Sequence, residues 1–208
     1  MRLLSARVLP ILIAFLVIAA ASLSASTVSQ FNLAEMTHRA QKIYVGTVRS
    51  ATESTIEVGG GQLAVVTYQI SVEEDLRGET ALVKGVRVAE IRMLGKQKTV
   101  QLGTIRSVAP VPDMPVLIVG QTYLIFATTP SAIGLSTTVG LGQGSFRLYG
   151  KGDGQMAVNE VNNAGLFRDM QAPAAASAAL RTAVPQAAGP IRYVELRAQI
   201  LTLVGSRR

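Results

Sequence analysis

Residues 42–78 read KIYVGTVRSATESTIEVGGGQLAVVTYQISVEEDLRG, and this stretch decides the shape of the chain. Two long runs on either side of Gly59, Gly60 and Gly61 predict antiparallel strands joined by a glycine tip, each arm about twice the usual strand length of about 5–6 residues. In the second arm Val66, Tyr68, Ile70 and Val72 alternate with Thr67, Gln69 and Ser71, the period of two of a half-buried strand. The even positions are expected to face the core. In the first arm Gly46 sits among Ile43, Tyr44, Val45 and Val48, which predicts a bulge or a close backbone approach there. Arms of this length cannot stay flat in a small domain. Strand twist coils them, and a coiled hairpin is how a small barrel begins.

The first 25 residues stand outside the fold. Arg2 and Arg7 form a positive start, Val8 to Ala21 an apolar run, and Ser-Leu-Ser-Ala ending at Ala25 a small-residue cleavage site. Together they describe a secretory signal peptide over residues 1–25. The competing reading is an uncleaved anchor, disfavoured because the apolar run has about 14 residues where a membrane span needs about 20. Cleavage leaves Ser26 as the new N-terminus, no stable membrane span, and a secreted or periplasmic product. It also removes two arginines and no acids, so the net charge falls from +7 to +5. That balance bears on encounter with anionic surfaces rather than on fold. Cysteine is absent, so the exported chain must rely on its own core, and thiol nucleophiles, thiolate metal sites and lipidated cysteines are excluded.

Along the mature chain, Asn32-Leu33-Ala34-Glu35 has capping-box spacing, with Phe31 and Met36 placed as a hydrophobic staple. A short helix follows, with Leu33, Met36 and Ala40 on one stripe and His38, the sole histidine, off it. Beyond the hairpin a third strand is expected near Val86 to Met93, with a bulge where its alternation slips between Val88 and Ala89. Leu94 to Val119 reads as a long irregular connection, Tyr123 to Thr128 as a central apolar strand, and Leu135 to Tyr149 as a strand interrupted by Gly140, Gly142 and Gly144. Lys151 to Gly154 predicts a tight turn into a last strand, Gln155 to Val158. These elements make residues 26–170 one β-rich domain. Residues 171–189 are rich in Ala and Pro and read as a linker. Residues 190–208 hold an amphipathic helix, with Ile191, Val194, Ala198 and Leu201 on one stripe and Leu196, Ile200 and Leu203 beside it. Such a helix is expected to dock on the core.

The chemistry is sparse. One histidine leaves no Ser-His-Asp arrangement beyond His38, and no metal-ligand spacing occurs. Glu73, Glu74 and Asp75 are adjacent on a strand, point to alternate faces, and read as a solvated strand end. The glycine tip is followed by no helix and no Lys-Ser/Thr, so it is no phosphate cradle. No catalytic residue, metal ligand or cofactor is expected. Serines and lysines are frequent enough to meet by chance, which leaves a hydrolase with an unrecognised site as a third reading. Nucleic acid is disfavoured as a partner, because the aromatics are few, Tyr44, Tyr68, Tyr123, Phe126, Phe146 and Tyr149, most of them sit in core-like patterns, and the chain reads as exported.

The order helix, KIYVGTV, YQISVEEDLRG, GQTYLIFAT, VGLGQGSFRL resembles, over Phe31 to Val158, a widespread and functionally uncharacterised group of secreted bacterial proteins. Gly142, Gln143 and Gly144 form the most specific part. More distantly, a helix, a long hairpin and a closing Leu-Arg-Gly are similar to the netrin-like module of the tissue inhibitors of metalloproteinases. That resemblance implies a mainly β, OB-like small barrel with a short N-terminal and a C-terminal helix. It also implies a mechanism, in which the processed N-terminus, here Ser26 followed by Thr27, chelates the catalytic zinc of a secreted protease. The inhibitors pin that leader with cysteines at the first and third mature positions, where this chain has Ser26 and Val28. The leading expectation is therefore a secreted, non-catalytic β-barrel that binds a protein at the cell envelope or outside. Inhibition of a zinc protease is the alternative.

Overall fold

The computed structural model describes residues 29–95, 114–170 and 188–206. The expected signal peptide, Ser26, Thr27 and most of the expected linker at 171–189 lie outside them, as does most of the connection between Leu94 and Val119. Helix α1 (Leu33–Arg39) leads into a hairpin of two 17-residue strands, β1 (Lys42–Val58) and β2 (Gly61–Arg77). Then come β3 (Ala81–Val83), β4 (Val86–Leu94), β5 (Thr122–Ala127), β6 (Ser145–Tyr149), β7 (Met156–Asn159), β8 (Ile191–Arg192) and helix α2 (Tyr193–Gly205). All eight strands form one antiparallel sheet in the order β3-β4-β2-β1-β5-β6-β7-β8. The mainly β architecture with a helix at each end is as expected. The sheet is not closed: among the described residues no pairing joins β3 to β8. No described helix is long and apolar enough to cross a membrane.

The hairpin follows its sequence closely. Gly59 and Gly60 both take positive φ, as a two-residue hairpin turn with the twist of its strands requires. Val66, Tyr68, Ile70 and Val72 are buried on one face. Opposite Gly46 the register slips, Val45 pairing with Glu74 and Gly46 with Val72, so one residue of β2 is left over. A Cβ at Gly46 would stand 2.6 Å from the Ser71 carbonyl, so the bulge and the close approach coincide. The extra residue also inverts the parity of β2. Tyr68, Ile70 and Val72 face one core while Leu76 faces the other.

Two cores result, one on each face of the sheet. The first lies under the helices and joins Leu33 and Met36 of α1, Ile43 and Val45 of β1, Phe126, Phe146, and Leu196 and Ile200 of α2. The second collects Tyr44, Tyr68 and Ile70 with Ile91 and Met93 of β4, and with Leu117 from the segment before β5. Strand β5 runs between them, Leu124 and Phe126 to one side, Tyr123 and Ile125 to the other. That is why its sequence is a continuous apolar run rather than an alternation.

Three expectations need correction. β4 pairs with β2 without a register shift, so there is no bulge at Val88 and Ala89. Its irregular pattern arises because Val86 and Val88 lie on the outward face beside Glu90 and Arg92. Leu135 to Tyr149 is a strand only from Ser145. Before it the chain makes one bridge, Ala127 to Thr138, and then a 3-10 turn over Leu141–Gly144. Finally, α2 docks as expected, with Leu196 and Ile200 inward, but starts later than its spacing predicts. Leu196, Gln199 and Ile200 are buried, while Val194 and Leu201 are exposed. Ile191, assigned to the helix by its spacing, belongs to β8.

Candidate functional site

The Gly142-Gln143-Gly144 motif builds a clamp on the N-terminal leader. Three glycines let the chain turn into the core without a side chain in the way. Gly140 takes φ +65° beneath the Phe31 ring, a Cβ at Gly142 would collide with Glu160, and a Cβ at Gly144 would lie 2.3 Å from the Val139 carbonyl. The 3-10 turn they permit drives Gln143 inward until it is 3% exposed. Its amide then treats the leader as a neighbouring strand would. The Phe31 N–H donates to Gln143 Oε1 at 2.9 Å, and Gln143 Nε2 donates to the Ser29 carbonyl at 3.0 Å.

Leader and clamp meet again from the other side, in the turn after β7. Arg168 donates through Nη2 to the Gln30 carbonyl at 2.8 Å, its own carbonyl accepts from Asn32 Nδ2 at 3.0 Å, and the Leu166 carbonyl accepts from the Leu33 N–H at 2.7 Å. The expected capping box is present. Glu35 N–H donates to Asn32 Oδ1 at 2.9 Å and Asn32 N–H to Glu35 Oε2 at 2.8 Å. Phe31 and Met36 both join the first core, which completes the staple. At a net contribution of about 0.5–1.5 kcal/mol for each hydrogen bond, the set is strong enough to order the leader from Ser29 onward.

A second concavity, a groove of about 680 Å³, opens where β2 leaves the hairpin, between Asp75, Arg77, Glu79, Thr80, Arg87 and Val204. Asp75 Oδ2 accepts from the Thr80 hydroxyl at 3.1 Å and lies 3.9 Å from Arg87 Nε. Asp75 Oδ1 and the hydroxyl of Tyr44, its partner in the strand register, are buried and have no hydrogen-bond partner among the described residues. Burial first, and the Asp75 charge second, push the Tyr44 phenol well above its ordinary range. It stays a neutral phenol.

The acidic run at the end of β2 divides its work rather than simply facing solvent. Glu73 accepts from the Thr47 hydroxyl at 2.7 Å. Glu74 turns to the helix side, where it accepts from the Tyr193 hydroxyl at 2.9 Å and from Arg197 Nε at 2.8 Å. The Arg197 hydrogen bond, then that of Tyr193, lowers its carboxyl below the usual range against the opposing effect of burial. Tyr193 is raised in turn, by burial and by the same carboxylate.

His38 is exposed on α1, as its place off the apolar stripe implied. Among the described residues no group of three or more His, Asp or Glu could hold a metal ion. The aromatics Tyr44, Tyr68, Tyr123, Phe126 and Phe146 are buried as expected, and Tyr149 is exposed beside Arg147. Sequence reasoning found Gln143 as a distinctive residue but not its task, read Glu74 as solvated, and missed Arg168, Asn159 and Asn163. The Asn-Asn-Ala-Gly run at 162–165 carried a usable turn signal, and Asn162, Asn163 and Gly165 all take positive φ there. Compared with known protein families, curated proteins and solved structures, the chain matches none.

Proposed function

We propose that this protein is an exported, non-catalytic binding module that engages a protein partner at the cell envelope or outside the cell, built on an OB-like variant of an antiparallel sheet. The observation that carries this reading is the clamped leader. Side chains from two segments distant in sequence, Gln143 and Arg168, hold Ser29 to Phe31 by the backbone, which fixes the direction of the chain there. The export pattern of residues 1–25 supports a site of action beyond the cytoplasm. A fixed direction lowers the ordering cost that a free leader would bring to binding, about 1–2 kcal/mol per residue.

The same clamp favours one second reading, inhibition of a secreted zinc protease through Ser26 and Thr27. Gln143 and Arg168 do without covalent bonds part of what cysteines do in the netrin-like inhibitors. Recovery of the processed protein with its partners from its own culture fluid or periplasm, together with N-terminal sequencing, tests both readings. A start at Ser26 and a captured zinc protease that has lost activity supports inhibition. Capture of non-protease partners by a form starting elsewhere removes inhibition and keeps the binding module. A purified, processed protein that retains no partner in either fraction overturns both.

A further inference from the structure

We propose that the buried amides of Gln143, Asn159 and Asn163 couple the two ends of the chain, so that loosening the leader loosens the start of the C-terminal segment, and the reverse. The three side chains are nearly sealed from solvent, at 3%, 7% and 3% exposure. Gln143 holds the leader at Ser29 and Phe31 with its side chain and offers its carbonyl to Asn159 Nδ2 at 2.9 Å. Asn159 and Asn163 then exchange reciprocal bonds, each backbone N–H donating to the other's Oδ1, at 3.0 and 2.7 Å. Asn163 Nδ2 reaches both the Ala157 carbonyl of β7, at 3.0 Å, and the Gly189 carbonyl, at 2.8 Å. Gly189 returns a bond to the Asn162 carbonyl at 2.7 Å and stands just ahead of β8 and α2.

The end links to Ser29, Phe31 and Gly189 are half-buried, while the links among Gln143, Asn159, Asn163 and the Ala157 carbonyl are buried, so one that breaks there has no solvent bond to replace it. In such surroundings hydrogen bonds strengthen one another. The weak joint is the 3-10 turn over Leu141–Gly144, whose bonds have poor geometry and whose orientation depends on what Gln143 holds. When the leader leaves, that turn is free to shift and takes the Gln143 carbonyl from Asn159. Asn163, held at φ +58°, then loses the framework that fixes it over Gly189. None of the three side chains titrates. The coupling stands apart from the proposed class of partner, and it gives contact at the leader a distant readout.

Hydrogen exchange on the full processed protein tests the coupling. Gln143→Met keeps the bulk of the side chain and removes both bonds to the leader. Exchange is expected to rise at least tenfold at residues 31–33 and at least threefold at Gly189 and Tyr193, with the β1–β2 pairing unchanged. Asn163→Ala should produce the reciprocal pattern. Loosening of the leader alone in the first variant, or of residues 188–193 alone in the second, overturns the proposal. If either variant unfolds as a whole, the wild-type protein is followed in denaturant below its transition. A shared opening of the two segments, with one slope and one midpoint, is then the expected result, and separate openings overturn the proposal.

Discussion

The glycines show how differently one residue type can be used in one chain. Gly144 is fixed by contact, and Gly144→Ala would drive a methyl group to 2.3 Å from the Val139 carbonyl. The expected cost is about 1–3 kcal/mol, read as a lower melting temperature. Gly61 has its nearest neighbour at 3.8 Å, and Gly61→Ala should leave stability within about 0.5 kcal/mol of the parent. Equal losses in the two variants would refute this assignment. Glu74 offers a test by pH. Its folded carboxyl titrates below its ordinary range, so its stabilising contribution is present above that range and disappears as pH falls through the folded value. Glu74→Gln should therefore destabilise the protein at neutral pH, by no more than about 1 kcal/mol because the pair is partly solvated, and should match the parent in acid. Denaturant titrations at both pH values measure the difference.

Elements were legible where their determinants are local. The alternation of β2, the glycine tip, the bulge at Gly46 and the capping box each rest on a few neighbouring residues, and each is present. What the sequence concealed depends on distant partners. Gln143 and Phe31 are 112 positions apart, and Glu74 and Arg197 are 123 apart, so no window of sequence contains either pair. Strand β8 has only two residues and exists because β7 offers it an edge. Helix α2 carries two apolar stripes side by side, so its spacing could not choose between them. The contact decides it. Leu196→Ala should cost about 2–5 kcal/mol, whereas Leu201→Ala on the outward side should cost less than about 0.5 kcal/mol. Chemical unfolding of the two variants distinguishes the faces, and the reverse order would mean that the helix sits the other way round.

At the scale of the molecule, the first core draws on both ends of the described chain: Phe31 and α1 from one, Tyr193, Leu196 and Ile200 from the other. The C-terminal segment is thus a wall of the core rather than an appendage on it. Deletion of residues 188–208 should remove the cooperative thermal transition, which circular dichroism on the shortened and full chains would show. Survival of a sharp transition would make the wall dispensable. The arrangement also bears on how the protein comes into being. A chain delivered N-terminus first can pair its long hairpin early but cannot seal this core until α2 has emerged. Until α2 arrives, the first core stays open.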